Sequence, residues 1–115
     1  MNKRWMFDWN YDNQNFDDAL LNGLQEDDVV ERIKMNGNRF TKINLFRSKS
    51  LERLFLNHNQ IRMMDVDNNY PSLLELSLIH NELETLDFSV LGLPKLVILN
   101  VSNNRIRRIV LKKDS

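Results

Sequence analysis

The sequence predicts an α/β solenoid, in which each copy of a short repeat adds one strand to a parallel sheet. Two observations predict this fold class. Asparagines recur every 21 to 23 residues, at Asn38, Asn59, Asn81 and Asn104. Apolar residues recur at fixed offsets from each of them: eight, five and three residues before, and two and five residues after. A repeat this short cannot bury its own apolar face, so its copies must stack.

The residues around each asparagine predict a strand that ends in a turn. The apolar residues five and three before it alternate with polar ones, which is typical of a strand with one buried face. The asparagine lies where the chain leaves the strand, and a column of such amides can satisfy the turn backbone of neighbouring coils. The residues between copies supply the crossover connections that parallel strands require, and Pro71 and Pro94 suit such connections.

The clearest copies of the repeat read LERLFLNHNQI, LLELSLIHNEL and LVILNVSNNRI, which is the pattern L-x-x-L-x-L-x-x-N-x-L. This pattern resembles the leucine-rich repeat family over about residues 30–110, with mild departures at Val30, Met35, Phe40 and Val101. The resemblance implies a right-handed, curved array of about four repeats with a short parallel sheet on its concave face. The predicted division is an N-terminal cap over residues 1–29, then repeats over about 30–50, 51–72, 73–95 and 96–115.

Two patterns predict the structure of the cap. Asn15 is a candidate N-cap for a short helix over FDDALLNGL, which ends near Gly23. One face of this helix would carry Phe16, Leu20, Leu21 and Leu24. Before it, four aromatic residues alternate with other side chains, which predicts an extended segment: Trp5, Phe7, Trp9 and Tyr11. Two interpretations of this aromatic face are open, packing on the edge of the first coil or an exposed stripe for a partner.

The C-terminal residues VLKKDS contain no capping helix, although terminal repeats normally need a polar cap. Three explanations compete. The chain is a fragment of a longer array, which we favour, or it self-associates through this end, or the basic tail RIRRIVLKK shields the end.

The net charge is zero, with 16 Lys and Arg against 16 Asp and Glu, which argues against a generic nucleic-acid or membrane-surface binder. Charge alternates in blocks, and the basic block over residues 32–64 keeps nucleic-acid binding as a distant alternative. Its cations scatter over both faces, whereas a phosphate groove needs them on one face. The alternation also permits head-to-tail stacking of chains. No apolar run approaches the length of a membrane span.

The strand side chains that point away from the core form the candidate partner-binding surface. They lie six, four and two residues before each asparagine, with a basic N-terminal end and an apolar middle of Phe55, Ile79 and Ile98. We expect this face to bind a protein or peptide with acidic groups near the basic end, because aromatic and Arg side chains are common interface anchors. The candidate residues are Arg32, Lys34, Asn36, Arg53, Phe55, Asn57, Glu75, Ser77, Ile79, Ile98 and Asn100.

Other chemistry finds little support. The chain has no Cys, only 3 Gly and no HExxH or GxSxG motif, so we expect no catalysis, no cofactor, no metal and no small-molecule substrate. Asp65 and Asp87 share one repeat offset that favours turn chemistry. His58 and His80 should be neighbours, as hydrated imidazoles or, less commonly, as a metal-binding or pH-sensitive pair. Asn100-Val101-Ser102 matches the N-glycosylation pattern, by accident unless the protein is secreted.

The resemblance implies non-catalytic protein recognition through a rigid, preformed surface. Two settings are open. An intracellular adaptor is favoured for the chain as given, since its N-terminus lacks the apolar run of a signal peptide. The alternative is a fragment of a secreted or cell-surface recognition protein of the innate-immunity kind. The compartment is therefore cytoplasmic for the chain as given, and secreted if it is a fragment of a longer protein.

Overall fold

The structure is a computed structural model that describes residues 6–23, 26–43, 46–64, 66, 69–89 and 92–111. The described elements are short. They are β1 (Asp8–Asn10), a 3₁₀ helix (Asp18–Gly23), β2 (Arg32–Lys34), β3 (Arg53–Phe55), β4 (Glu75–Ser77), β5 (Thr85–Asp87), β6 (Ile98–Asn100) and β7 (Arg108–Val110). The described helix is neither long nor apolar enough to cross a membrane.

Five of these strands form one parallel sheet in the order β1-β2-β3-β4-β6. Consecutive strands pair so that their central residues, which point into the core, align: Trp9, Ile33, Leu54, Leu76 and Leu99. The predicted parallel-sheet solenoid is therefore confirmed, with about four turns and overall extents of 43 × 27 × 22 Å. The segment predicted as a cap contributes the first strand, because β1 pairs with β2 in the register that the repeats share.

The expected helical component of the α/β class is not confirmed. The six-residue 3₁₀ helix is the only helix among the described residues. The physical reason is that many backbone groups after the strands bond to the neighbouring coil, and the bonds within a connection close single turns only, such as that from the Leu73 N–H to the Tyr70 carbonyl at 3.3 Å. The Gln60 N–H donates to the Phe40 carbonyl, and the Glu82 N–H to the Ile61 carbonyl, both at 2.9 Å. A second two-stranded parallel sheet, β5-β7, joins the last two coils in the same way and was not predicted.

The predicted N-cap at Asn15 is wrong. Asn15 has a φ of 57°, in the left-handed region, whereas an N-cap residue is extended. The helix begins at Asp18, and the Asp17 carboxylate accepts a hydrogen bond from the Ala19 N–H at 3.0 Å. Of the predicted apolar face, Phe16 and Leu20 pack partly buried against the core. The Leu21 side chain and Leu24 lie outside the described parts of the structure.

The N-terminal aromatic residues divide between core and surface. Trp9 is 3% exposed and stacks on Phe46 with 5.4 Å between ring centroids, and Tyr11 is also buried. The packing interpretation is confirmed for these two residues. Phe7 is half exposed, and Trp5 lies outside the described residues.

The last coil (residues 96–111) is less well buried than the inner coils. Leu54, Leu56 and Ile61 are fully buried, whereas Leu99, Val101 and Ile106 at the equivalent positions are only half-buried. In the described part of the chain, no strand pairs with the outer edge of β6 or of β7. Among the described residues, nothing covers the apolar side chains or the outer strand edge of the last coil.

Candidate binding surface on the strands

The strand face is defined here as three columns of side chains that point away from the core, with one residue from each coil. The columns are Asp8, Arg32, Arg53, Glu75 and Ile98, then Asn10, Lys34, Phe55, Ser77 and Asn100, then Asp12, Asn36, Asn57, Ile79 and Ser102. The pairing register aligns the first two columns as the repeat predicted. All the predicted partner-binding residues therefore lie on one face.

The basic end of the strand face is matched by carboxylates. Arg32 Nε lies 3.3 Å from an Asp8 oxygen, and Lys34 Nζ lies 3.7 Å from an Asp12 oxygen. Arg53 forms a 2.6 Å ion pair with Glu75. Sequence reasoning missed the first two pairs because it placed Asp8 and Asp12 in a cap, whereas β1 brings them into the sheet beside Arg32 and Lys34.

The third column is a hydrogen-bonded ladder. The Asn36 N–H donates to Asp12 Oδ1 at 2.8 Å, and the Asn57 N–H donates to Asn36 Oδ1 at 2.7 Å. Asn57 Oδ1 in turn accepts the Ile79 N–H at 2.8 Å, and also the Ser77 hydroxyl. Asn36 and Asn57 therefore support the backbone of the next coil. Their spacing of 21 residues was the available signal, but these side chains were interpreted as solvent-facing.

The repeat asparagines form a second, buried ladder, as the sequence predicted. Asn59 Oδ1 accepts the Phe40 N–H at 3.0 Å, and Asn59 Nδ2 donates to the carbonyls of Met35 and Leu56 at 3.0 and 3.1 Å. Asn38, Asn81 and Asn104 make equivalent contacts with their neighbouring coils. These amides hold the coils together and are mostly buried, so they are not available to a partner.

The residue before each repeat asparagine, and before Gln14 at the equivalent position of the first coil, adopts a left-handed backbone conformation, with φ between 55° and 67°. This column is Asn13, Gly37, His58, His80 and Asn103. Gly and Asn suit this conformation, whereas other L-residues lose about 1–2 kcal/mol. His58 and His80 are neighbours as predicted, and their exposed rings stack with centroids 4.6 Å apart. Across the described residues, no group of three or more side chains could hold a metal ion.

Three apolar side chains lie on the strand face, one in each column: Ile98 in β6, Phe55 in β3, and Ile79 two residues after β4. Phe55 and Ile79 are half-buried, and Ile98 is 46% exposed. Ile79 stands where the third column changes from Asp and Asn to an apolar side chain, and Ile98 follows Glu75 in the first column. We call these three residues the apolar patch. The side chains of the apolar patch take no part in the ion pairs of the strand face or in the hydrogen bonds of its third column.

Asp87 performs the turn chemistry that its repeat offset predicted. Its carboxylate accepts hydrogen bonds from the Ser89 hydroxyl and the Ser89 N–H. The Ser89 hydroxyl, with smaller contributions from the Ser89 N–H and the charge of Arg108, holds the pKa of Asp87 below its ordinary value. Asp65, at the same offset, lies outside the described residues.

A depression of about 360 Å³ lies beside the ladder turns, away from the strand face. Its lining residues are Thr41, Lys42, Gln60, Arg62, Met63 and Glu82. Met63 is 61% exposed there. Sequence reasoning missed this feature, because no single repeat position marks it.

Comparison with known proteins finds no matching family model, no similar curated protein and no similar solved structure. The repeat and the geometry of the strand face are therefore the basis for the functional proposal.

Proposed function

We propose that this chain is a non-catalytic recognition module of the leucine-rich repeat type, which binds a protein or peptide through its strand face. The observation that carries the proposal is the apolar patch of Phe55, Ile79 and Ile98 on a face whose neighbouring polar groups are matched to one another. An apolar patch with a polar surround is a common arrangement at protein interfaces.

Preorganisation supports this use of the strand face. Asn57 is fixed by hydrogen bonds, and Arg53 is held by Glu75, so the groups around Phe55 are already ordered before a partner arrives. A surface that is ordered in advance loses little conformational entropy on binding. Removing the apolar patch from water contributes roughly 25 cal/mol for each Å² of apolar area buried.

The ion pairs refine the expected chemistry of the partner. An acidic group near Arg32 or Lys34 would compete with Asp8 or Asp12 for the same cation. Exposed ion pairs of this kind contribute only about 0–1 kcal/mol, so exchanging one carboxylate for another gains little. The partner that this face fits best presents apolar side chains to Phe55 and Ile79, and its acidic groups are secondary.

The family assignment is part of the proposal. It is supported by the six recurring positions of the repeat and by the cross-coil hydrogen bonds of the repeat asparagines. The intracellular and the secreted or innate-immunity settings both stay open. Nucleic-acid binding through residues 32–64 loses support, because Arg32, Lys34 and Arg53 each have a carboxylate partner.

The test is selection of peptides from a random displayed library on the full chain, followed by affinity measurements on variants. We expect the selected peptides to bind at least about tenfold more weakly to Phe55→Ala, a loss of roughly 1.4 kcal/mol. Ile98→Ser should weaken them too, and its exposed position keeps the fold intact. Met63→Ala is the matched control, since Met63 is exposed but lies off the strand face.

Peptides that bind Phe55→Ala and Ile98→Ser as tightly as the parent chain would show that the strand face is not the recognition surface. A salt titration with the same peptides tests the secondary role of charge. Affinity that falls steeply with salt would mean that acidic groups, not apolar ones, dominate binding.

A further inference from the structure

We propose that copies of this chain associate head to tail, so that the last coil of one copy stacks on the first coil (residues 6–23) of the next and continues its parallel sheet. This inference concerns the two ends of the solenoid and is independent of the proposed role of the strand face. Both ends carry backbone groups, apolar side chains and charges that fit each other.

The backbone of the last coil lacks the hydrogen bonds that the inner coils make at the same positions. The N–H groups of Met35, Leu56 and Leu78 each donate to a carbonyl of the following strand, at 2.7–2.9 Å. Val101 is the equivalent residue of the last coil, and within the described chain its N–H donates no hydrogen bond. Another parallel strand against β6 would supply the acceptor.

The first coil presents the complementary groups. In β2, the Arg32 N–H and the Lys34 carbonyl both point toward the preceding coil, where they bond with the Phe7 carbonyl and the Tyr11 N–H. The same geometry in β1 directs the Asp8 N–H and the Asn10 carbonyl outward, at the free edge of the sheet. In a head-to-tail pair, the Val101 N–H would donate to the partner copy's Asn10 carbonyl.

The buried asparagine ladder also continues across such a contact. The N–H groups of Phe40, Ile61 and Leu83 donate to the ladder amide of the following coil. Ile106 is their equivalent, and its N–H donates to no group among the described residues. In the first coil, Gln14 holds the ladder position and carries the same carboxamide group. A stacked copy would bring this amide to Ile106 and cover the half-buried side chains of the last coil.

Charge favours the head-to-tail arrangement over a tail-to-tail one. Arg107 and Arg108 lie three and four residues after the repeat asparagine Asn104. Asp17 and Asp18 lie three and four residues after Gln14, so the repeat register places each Asp in the same column as one of these arginines. Side chains in the column of Arg107 do pair between adjacent coils, because Arg107 itself bonds Glu84. A next copy would therefore set its aspartates beside these arginines, whereas two last coils facing each other would oppose like charges.

The size of the contact predicts weak association. The contact involves a single coil of each copy, and the two strands that would pair, β6 and β1, have three residues each. Association should therefore be reversible and dependent on concentration, and it is open-ended because the contact is heterologous.

The experiment is sedimentation velocity on the full chain over two decades of concentration. The tail variant carries Arg107→Glu and Arg108→Glu, and the head variant carries Asp17→Lys and Asp18→Lys. We expect the average mass of the parent chain to rise with concentration, and each variant alone to associate at least about tenfold more weakly. An equimolar mixture of the two variants should regain association, because each tail then meets an opposite head.

A second head variant guards against a folding defect, since Asp17 and Asp18 also accept backbone hydrogen bonds. Asp17→Asn with Asp18→Asn keeps those acceptors but removes the charges and with them the exposed Asp17–Arg39 ion pair, so it should weaken association with little change in melting temperature. A parent chain that stays monomeric throughout would overturn the proposal. Undiminished association of the tail variant alone, or a mixture no stronger than its components, would overturn it as well.

Discussion

Replacing Asn59 with alanine removes one rung of the buried asparagine ladder. Asn59 Oδ1 accepts the Phe40 N–H, and Asn59 Nδ2 donates to the Met35 carbonyl, both at 3.0 Å. Phe40 and Met35 are fully buried, so water cannot readily replace the lost partner. The substitution therefore leaves the Phe40 N–H without its acceptor, whereas the Met35 carbonyl still accepts a hydrogen bond from Asn38 Nδ2 at 3.2 Å.

An unsatisfied buried group costs about 1–3 kcal/mol, so Asn59→Ala should lower the free energy of unfolding by roughly that amount. A domain of this size has about 5–15 kcal/mol in total, so the loss is a substantial share of its stability. The assay is urea denaturation followed by circular dichroism. With a urea dependence of about 1–3 kcal/mol per M, the midpoint should fall by about 1 M.

Asn104→Ala is the matched comparison, because Asn104 makes the same contacts in the half-buried last coil. Its cost should be less than half of that for Asn59→Ala, since water reaches the exposed end. A change below about 0.5 kcal/mol for Asn59→Ala, which is typical of surface substitutions, would refute the argument that the ladder holds the coils together.

Two further predictions follow from local geometry. Gly37→Ala should lower the free energy of unfolding by about 1–2 kcal/mol in urea melts, because Gly37 has a φ of 67° and a Cβ there would overlap the Asn13 side-chain oxygen; adding Asn13→Gly, which suits the φ of 56° at that position, should recover part of the loss, and no recovery would exclude the overlap as a cause. The lowered pKa of Asp87 means that its contribution to stability is present above the ordinary value of 3.8 and is lost as pH falls through the lower folded value. An NMR titration should place its midpoint below 3.8, and Ser89→Ala should raise it; an unchanged midpoint would show that the hydroxyl is not the cause.

Much of the fold could be predicted because the repeat positions carry it directly. The apolar residues five and three before each repeat asparagine are the centres of β2, β3, β4 and β6 and the residues just after these strands. They are buried in the first three strands and half-buried in the last. The first strand was harder to predict, because Gln14 replaces the asparagine and Trp9 and Tyr11 replace the aliphatic residues. These aromatic side chains fit the same coil, but they do not match its sequence pattern.

For the strand face, the sequence predicted which side chains point away from the core but not which of them contact one another. Periodicity indicates which side chains leave the core, but not which of them bond to one another. Ser77 was predicted to face solvent and is 5% exposed, because its hydroxyl reaches Asn57. Arg32 was predicted to lie at the basic end of this face, but its partner Asp8, which is 24 residues away in sequence, was not identified. Such contacts depend on register between coils, which a single repeat does not specify.

The incompletely buried last coil also sets the order in which the molecule loses structure. Stability in a solenoid is approximately a sum of nearest-neighbour contacts, and the last coil has a described neighbour on one side only. Opening should start there, with amide hydrogens of β6 and β7 exchanging before those of β3, and trypsin reaching Arg105 and Arg107 first. Because Ile98 lies on β6, a ligand bound at the apolar patch would slow this opening, so that occupancy and local unfolding are coupled.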